Sequence, residues 1–327
     1  MANRAEQIQR LVNALATAGL PVVNDFNGSD RPVILRVASP SGLVSLRVFC
    51  WNVTPGGAHR AEDEYRVQTT RPGDVPLYLG GESLDLILGY DEHRDIFVAW
   101  DASHHPNPGG SSSLQVQLDQ LDEAAERGFA ARTRELGHDD EVEVVVALRP
   151  EAIGEYLEAH HAFGVTGRTQ AEAVADAANV DTPPAEADLP GDIERRREIV
   201  LVSRLVRDAR FRTQVIDAYQ GRCVFCGLGA CLSEAAHVRA VAFGGDDQVQ
   251  NGVAACPTHH AAFDLGLLVI EQDRRIRVNP RRVEALAISD EDVEMLQASL
   301  FEALPEPGLT SQRPHGANLR AHREQWS

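Results

Sequence analysis

The chain has 327 residues, a length that predicts about two domains, and 43% of its residues are hydrophobic, enough for ordinary packed cores. Its formal net charge of -18 excludes a protein that binds nucleic acid through general basic charge, so a DNA-binding role requires a local basic face. No apolar run reaches the roughly 18 to 20 residues of a transmembrane helix, and residues 1–10 lack a signal-peptide core, so we expect a cytoplasmic protein without a membrane partner.

Basic charge is carried by arginine alone and is unevenly distributed. All 31 basic residues are Arg, a side chain that suits bidentate phosphate contacts. Residues 1–190 have a net charge of -16, whereas residues 191–327 are nearly balanced at -2. The acidic excess therefore belongs mainly to the N-terminal part of the chain.

The N-terminal half predicts a mainly β domain. A helix is expected over residues 5–18, where apolar residues from Ile8 to Leu15 recur at helical spacing. From Pro32 onward, alternating apolar residues predict strands instead. The strand segments are Pro32–Val53, Glu64–Gln68, Ser83–Tyr90, Asp95–Trp100, Leu114–Leu118 and Glu141–Leu148. We expect an antiparallel or curled sheet with a few helices.

Two glycine-rich loops in this half carry residues suited to DNA. They span residues 54–63 and 101–113, and they combine arginine, histidine and serine with neighbouring aromatic side chains. Such loops can form a base-sized aromatic pocket with a phosphate-contacting rim. The alternative is that the aromatic residues belong to the core and the loops are solvated connections. The candidate DNA-binding residues here are Trp51, Tyr65, Arg66 and Trp100.

The middle of the chain separates two predicted domains. Helices are expected over residues 119–136 and 152–162. Residues 164–192 are rich in Ala, Thr, Pro and Asp and predict a linker. The expected organisation is an N-terminal domain over residues 1–163, this linker, and a C-terminal domain over residues 193–327.

An arginine-rich helix is predicted over residues 193–221. Together with Arg222, it carries eight Arg against four acidic residues, a local charge of +4 in an acidic protein. This charge can face DNA phosphates, or it can be an ordinary solvated helix face. The candidate phosphate-contacting residues are Arg195, Arg196, Arg197, Arg204 and Arg207.

Two half-sites with the spacing of zinc ligands follow this helix. Cys223 and Cys226 form a C-x2-C pair, and Cys256 and His259 form a C-x2-H pair about thirty residues later. Two such turns can present four ligands to one tetrahedral ion, so we expect a structural Zn²⁺ site. This spacing also fits a metal site in a reducing compartment better than it fits a disulfide framework. Two other cysteines remain. Cys231 is interpreted as a spare thiol, which fits the metal-binding turn less well than Cys226 does, and Cys50 as a buried apolar residue.

A second set of polar residues lies beside the zinc ligands. A helix over this segment places His260 and Asp264 four residues apart on one face, with His259 rotated away by about 100°. One histidine can therefore serve the zinc ion, while its neighbour and Asp264 bind a second ion. His237 lies in a strand-like stretch, and a hairpin followed by a helix can bring it together with Asn251 and His260.

The order of these motifs resembles the zinc-stabilised HNH endonuclease family, which has the ββα-metal fold. Cys-x2-Cys is followed by Ala-Ala-His at residues 235–237, by Asn-Gly at 251–252 and by Cys-x2-His-His-x3-Asp at 256–264. The flanks resemble one branch of the family as well: its preceding helix at residues 211–223, its following hairpin at 266–278 and its tail at 319–326.

The resemblance implies a role for each residue of the second set. His237 would be the general base that activates water, and Asn251 would fix the hairpin and orient this base. His260, with Asp264, would hold one catalytic divalent cation, commonly Mg²⁺. Ala236 departs from the family pattern, because many members have a metal-ligating Asp or His at that position. Either Asp264 compensates for this change, or the metal is weakly held.

The N-terminal half resembles the DNA-reading half of modification-dependent restriction endonucleases, on residues 51–54 and 63–68. This resemblance implies that residues 1–163 select double-stranded DNA, including modified DNA, for a restriction-type endonuclease. The acidic net charge would then suppress indiscriminate binding. Because a single HNH centre cuts one strand, a homodimer is a further expectation.

These patterns predict an α+β protein. A mostly-β sheet domain with a few helices is linked to a C-terminal ββα-metal domain with flanking helices and a structural zinc. Two alternatives to a restriction-type nuclease stay open for this architecture. One is a catalytically weak or inactive zinc-folded DNA-binding or regulatory protein, consistent with Ala236. The other is a defence nuclease that a small ligand or partner activates through the N-terminal half.

Overall fold

The chain forms two compact units. A computed structural model describes residues 2–57, 60–70, 75–105, 112–137, 141–165, 167–180, 182–229 and 232–327. The first unit comprises Met1–Ala209 and the second comprises Arg210–Ser327. Among the residues described, no helix is both long enough and apolar enough to cross a membrane.

The first unit is built on two β-sheets. Its strands are β1 (Val33–Ser39), β2 (Gly42–Asn52), β3 (Thr54–Pro55), β4 (Glu64–Thr69), β5 (Ser83–Asp91), β6 (Ile96–Asp101), β7 (Ser112–Gln117), β8 (Phe129–Glu135) and β9 (Val142–Leu148). Its helices are α1 (Arg4–Thr17), α2 (Leu118–Arg127), α3 (Ile153–Phe163) and α4 (Arg168–Asn179). The larger sheet has the order β1-β2-β5-β6-β9-β8 and is antiparallel except between β2 and β5. The smaller sheet, β3-β4-β7, is antiparallel.

Period-two alternation gives the six-stranded sheet two apolar faces. On β2, Val48 and Cys50 belong to one buried cluster, while Phe49 and Trp51 belong to another. Apolar residues of α1, α3 and α4 complete the first cluster, and residues of β4, β7 and α2 complete the second. The unit is therefore a layered α+β fold, which confirms the predicted fold class.

The helix predicted over residues 119–136 is wrong in its second half. Helix α2 is capped by Gly128, whose φ of 92° is left-handed, and β8 begins at the next residue. The arginines of this segment do not form a helix face. Arg132 instead contacts Glu123 of α2, and Arg134 contacts Glu143 of β9.

The structure also divides the chain differently from the expected bounds of residues 1–163, 164–192 and 193–327. Helix α4 occupies much of the expected linker and buries Ala171 and Val174 in the first cluster. The alanine-rich composition predicted a linker here, but the alanines of α4 form a face that packs on β8 and β9. The division between units falls at residues 209 and 210, within helix α5 (Ile193–Ala218).

A buried ion pair anchors residues 76–80 to the first unit. The Arg47 guanidinium contacts the Asp85 carboxylate and the carbonyl oxygens of Pro76 and Leu77. We expect Arg47→Met to lower the free energy of unfolding by about 3 to 5 kcal/mol, because it leaves the Asp85 carboxylate buried without its cation. Urea unfolding measures this loss. The control is Arg36→Met at an exposed position of β1, with an expected change within about 0.5 kcal/mol. Equal losses in the two variants would contradict the prediction.

The second unit contains a hairpin followed directly by a helix. Its strands are β10 (Glu234–His237), β11 (Gly252–Ala255), β12 (Leu268–Ile270) and β13 (Ile276–Val278), and its helices are α6 (Pro257–Asp264), α7 (Pro280–Ala285), α8 (Asp290–Ala298) and α9 (Gly316–Gln325). Strands β10 and β11 are antiparallel, with His237 opposite Gly252. Phe225 and Phe263 are fully buried in the core of this unit. The hairpin and α6 form the predicted ββα arrangement.

Candidate active site

Four sulfur and nitrogen donors converge beside the ββα hairpin. The ligand atoms of Cys223, Cys226, Cys256 and His259 all lie within 4.8 Å of one another. Tetrahedral Zn²⁺ takes bonds of about 2.0 to 2.3 Å to such ligands, which places the donor atoms within this range. The cluster is largely buried, as a closed structural site requires. The four residues therefore fit a metal ion, and the sequence predicted all four.

Local backbone structure presents these ligands. The amide of Gly227 donates to the carbonyl of Cys223 at 2.8 Å, and the φ of 75° at Gly227 allows the tight turn of the first half-site. Cys256 is the N-cap of α6, with Pro257 following, so His259 lies in the first helical turn. Each half-site is thus formed by one turn of chain.

The tautomer of His259 is set by a residue outside the ligand set. Its Nε2 lies 3.0 Å from Ser299 Oγ, and that hydroxyl donates its own proton to the carbonyl of Leu296 at 2.6 Å. The hydroxyl must therefore accept a hydrogen bond from Nε2–H, which leaves Nδ1 free, 3.1 Å from Cys256 Sγ. Burial lowers the pKa of His259, which favours the neutral, ligating imidazole.

Cys50 is not part of this cluster. Cys50 is buried in the first unit, where burial raises the pKa of its thiol to about 12, in line with its interpretation as an apolar residue. Cys231 lies outside the described residues.

A cleft of about 320 Å³ lies at the end of β10 and is lined in part by residues of α6. Helix α9 forms part of its wall, and burial lowers the pKa of His322 there to about 4, so this side chain is neutral near pH 7. The lining residues are His237, Val238, Ala240, Val241, His260, Asp264, His322, Gln325 and Trp326. Three of the predicted active-site residues therefore share one cleft.

His237 is held from two sides. Its Nε2 lies 3.0 Å from Asp247 Oδ1, and the ring of Phe211 stacks on its imidazole with 4.0 Å between ring centroids and 10° between planes. The carboxylate accepts a hydrogen bond from Nε2–H, so Nδ1 is the nitrogen available as a proton acceptor. The arrangement restricts rotation of the ring and selects one tautomer.

Asn251 is fully buried and fixes the loop that follows β10. Its Nδ2 donates to the carbonyls of Arg239 at 2.9 Å and Asp246 at 2.8 Å, while its Oδ1 accepts the amide of Arg239 at 2.9 Å. Gly245 is needed there, because a Cβ would lie 1.9 Å from the Arg239 carbonyl oxygen. Asn251 thus positions the loop that bears Asp247, and its part in orienting His237 is indirect.

We expect Asn251→Ala to lower the free energy of unfolding by about 2 to 4 kcal/mol, because it leaves an amide and two carbonyls of this loop without partners. Thermal unfolding measures this loss. Gln250→Ala is the control, since the Gln250 side-chain amide donates to the carbonyl of Ser311 in an exposed contact. Wild-type stability in the Asn251 variant would contradict this role.

His260 faces the cleft between two carboxylates. Its Nδ1 lies 2.7 Å from Glu234 Oε2, and its Nε2 lies 3.4 Å from Asp264 Oδ2. The hydrogen bond to Glu234 places the imidazole proton on Nδ1 and leaves Nε2 without one. His260 Nε2 and Asp264 Oδ2 can therefore bind one cation together. The His260 imidazole and the Asp264 carboxylate are thus donor groups of a suitable kind, close enough together for one cation.

Ala236 cannot take part in metal binding. It is fully buried, lies opposite Val253 in the hairpin and belongs to the core of the second unit. The residue of β10 that contacts His260 is Glu234, which lies two positions before Ala236.

The predicted aromatic base pocket is wrong for two of its members. Trp51 and Trp100 are 5% and 1% exposed, and their indole N–H groups donate to the carbonyls of Thr70 and Gln115. Buried rings with satisfied donors cannot stack on a base. Tyr65 is half-buried under the Arg94 guanidinium, and Arg66 is partly exposed. The loop tips at residues 58–59 and 106–111 lie outside the described residues.

The five candidate arginines of α5 differ in accessibility. Arg195 contacts Glu198 at 2.5 Å and the carbonyl of Ala162 at 3.1 Å, so its guanidinium is engaged within the protein. Arg196 and Arg207 are half-buried, and Arg207 Nε donates to Ser203. Arg197 and Arg204 are exposed.

Comparison with known proteins gives a family match in each unit. Residues 223–271 match the model of an HNH endonuclease family. The second unit carries an HNH endonuclease domain. This match supports a phosphodiester-hydrolysing nuclease and confirms the resemblance of the C-terminal motifs to the HNH family. Residues 44–157 match the family described as methylase-associated X1.

No curated protein matches the chain. Among solved structures, it is similar to a modification-dependent TagI restriction endonuclease, with 15% identity and a TM-score of 0.31. The similarity covers 84% of this chain and 80% of that one.

Two residues of the HNH domain were missed by sequence reasoning. Glu234 immediately precedes the Ala-Ala-His motif, and Asp247 ends the Gly-Gly-Asp-Asp loop. Their acidic type near a motif histidine was the available signal. The ring nitrogen that Glu234 or Asp247 contacts depends on how the loop and α6 fold back on β10, so the sequence alone could not predict it.

Proposed function

We propose that the protein is a metal-dependent DNA endonuclease of the restriction type, in which the HNH domain hydrolyses the phosphodiester. The observation that carries this proposal is the shared cleft of His237, His260 and Asp264, in which His237 is paired with one carboxylate and His260 lies between two. A base and two cation ligands in one cleft suit hydrolysis of a phosphodiester.

His237 is the proposed general base. Nδ1 takes a proton from water while the water oxygen bonds to phosphorus and the bond from phosphorus to the leaving oxygen breaks. Asp247 holds the proton on Nε2 and stabilises the imidazolium that forms, and Phe211 restricts the ring plane. Asn251 acts as a positioning residue through the loop that carries Asp247.

His260 and Asp264 would hold the catalytic cation, with Mg²⁺ as the proposed ion. Two protein ligands suit Mg²⁺, which commonly keeps several waters and takes phosphate oxygens. When bound, such a cation polarises the scissile phosphate and stabilises charge on the leaving oxygen. Glu234 positions His260 for this task, and Asp264 would supply the second ligand in place of the family's usual ligand at residue 236. Cys223, Cys226, Cys256 and His259 would hold a structural Zn²⁺.

We further propose that the first unit selects the DNA. Its matched family is named for an association with methylases, and we propose methylation as the modification that is read on double-stranded DNA. Because Trp51 and Trp100 are buried, reading depends on partly exposed groups such as Arg66. A homodimer would supply the second centre for a double-strand cut, and reduced zinc thiolates support a cytoplasmic location.

Metal-dependent plasmid cleavage tests this function. We expect the purified full chain to nick or linearise plasmid DNA with Mg²⁺ or Mn²⁺, and not with EDTA. Plasmids with and without cytosine methylation reveal selection by the first unit. DNA binding without cleavage under all of these conditions would favour a regulatory DNA-binding protein instead. Cleavage that appears only after a nucleotide or cell extract is added would favour a ligand-activated nuclease.

A further inference from the structure

Two arginine side chains of the first unit lie close together without a carboxylate partner among the described residues. Arg4 lies in the first turn of α1, and Arg31 precedes β1. The Arg4 guanidinium donates to the carbonyl of Ser29 at 2.7 Å, and the Arg31 guanidinium contacts the carbonyl and the hydroxyl of Thr70. These acceptors are neutral, so they do not balance either positive charge.

The two charges are close enough to repel each other. The Arg31 guanidinium lies over the ring of Trp51, near the end of β2, with 5.0 Å from Cζ to the ring centroid. Burial and, after it, the charge of Arg4 lower the pKa of Arg31 to about 10. Both arginines also oppose the rise in pKa that burial causes at Cys50, the neighbour of Trp51 in β2. The two guanidinium groups therefore meet at one end of β2.

Unbalanced arginines contrast with the acidic charge of this unit. Residues 1–190 have a net charge of -16, so carboxylates are abundant. Most other arginines there contact one: Arg10, Arg47, Arg60, Arg94, Arg127, Arg132, Arg134 and Arg168. The Nε atoms of Arg4 and Arg31, in contrast, are buried without a hydrogen-bond partner. Two like charges with unused donors cost stability unless an anion binds between them.

The unused donors suit a phosphate group. Arg4 and Arg31 each make the contacts described above through Nη1, which leaves the edge formed by Nε and Nη2 for a ligand. Such an edge is a planar fork that matches two phosphate oxygens, and two forks can hold one tetrahedral phosphate. A carboxylate has only two oxygens and one charge, so a single fork satisfies it. Thr70 is exposed, and its hydroxyl accepts from Arg31, so the hydroxyl proton can be donated to the same ligand.

We propose that Arg4 and Arg31 form a phosphate-binding site in the first unit, with Thr70 as a third donor. Experiment distinguishes two sources of this phosphate. A backbone phosphate of DNA would make the site part of the DNA-selecting surface, and this source rests on the proposed function. A small phosphate-bearing ligand, such as a nucleotide, would make the first unit a sensor, and this source does not depend on DNA selection.

Arg4→Gln with Arg31→Gln tests the site in the full chain. The matched control is Arg36→Gln with Arg168→Gln, which removes the same charge from the first unit at an exposed residue and at a partner of exposed Glu135. Anisotropy of a fluorescent plasmid-derived duplex, with Ca²⁺ as the cation, measures DNA binding at several NaCl concentrations. Isothermal titration with inorganic phosphate, ATP and acetate measures small ligands.

We expect the Kd for DNA, or for inorganic phosphate and ATP, to rise roughly 10- to 100-fold in the Arg4 and Arg31 variant alone. A DNA phosphate at this site also predicts that the slope of log Kd against log salt falls by about one. Weaker binding of phosphate and ATP with unchanged DNA affinity would assign the site to a small ligand. Both results support the site.

Three results would overturn it. They are wild-type affinity of the double variant for DNA, phosphate and ATP, an equal loss in the control pair, and acetate binding as tight as that of phosphate. Thermal unfolding without phosphate verifies the fold. If the double variant unfolds, Arg4→Gln alone carries the same test, because Arg31 then stays packed on Trp51. Plasmid cleavage by the wild type tests the nuclease separately, so failure of the phosphate site leaves the proposed function intact.

Discussion

Replacing His237 by alanine should reduce metal-dependent DNA cleavage by roughly 100- to 10,000-fold, the usual contribution of a general base. The substitution removes Nδ1, the atom proposed to accept the proton of water. The His237 side chain is 26% exposed at the cleft and its ring stacks on Phe211, so the stability of the variant is measured beside its activity. Single-turnover cleavage of supercoiled plasmid measures the effect, with thermal unfolding and zinc content recorded on the same preparation.

Asp247→Asn tests the same proposed base with a milder change. The amide keeps the size of the side chain but loses the charge that stabilises the imidazolium, so we expect kcat to fall roughly 10- to 100-fold with little change in KM. Asp246→Asn is the matched control in the same loop, because its carboxylate accepts only a long 3.4 Å contact from the amide of Gln248. Wild-type rates in the His237 variant would remove the base from the mechanism. An equal fall in kcat for Asp247→Asn and Asp246→Asn would show that Asp247 supports the loop and does not act on His237 in particular.

Replacing Cys256 by serine should have the largest effect on stability. Structural zinc contributes about 10 to 16 kcal/mol to the folding of small zinc domains at neutral pH, which matches or exceeds the whole stability of most domains. We therefore expect the variant to lose zinc and the second unit to unfold, while the first unit, which has its own core, stays folded. Metal analysis and limited proteolysis report the two units separately.

Cys50→Ala serves as the control for this thiol substitution. Cys50 is buried in the first unit, away from the four metal donors, so the variant should keep its zinc and a folded second unit. A Cys256→Ser protein that retained a full zinc content and melted like the wild type would contradict the structural metal site.

The site could be predicted where the determinants are local. Each zinc half-site lies within one turn of chain, and the 3.6-residue period alone turns His259 and His260 in different directions. The partners of the two cleft histidines could not be predicted in this way. Asp247 reaches His237 only because Asn251 and Gly245 fold the intervening loop back, and that is a property of the tertiary structure.

In the first unit, strand positions could be predicted from alternation, but the role of aromatic residues could not. Trp51 and Trp100 adjoin glycine-rich loops in sequence, yet they face the core, where backbone carbonyls satisfy their indoles. Strand β8 was hidden because its arginines resemble a helix face until Gly128 is recognised as a helix cap. Composition also concealed α4, whose small alanines pack closely on the sheet.

The most direct test of a restriction-type nuclease is to digest pairs of DNAs that differ only in base modification and to sequence the cut ends. The wild type with Mg²⁺ is predicted to produce ends that cluster at a shared sequence or modified base, and the His237→Ala variant is predicted to produce none. Ends that are no more frequent with the wild type than with the variant, on every DNA, would contradict the account.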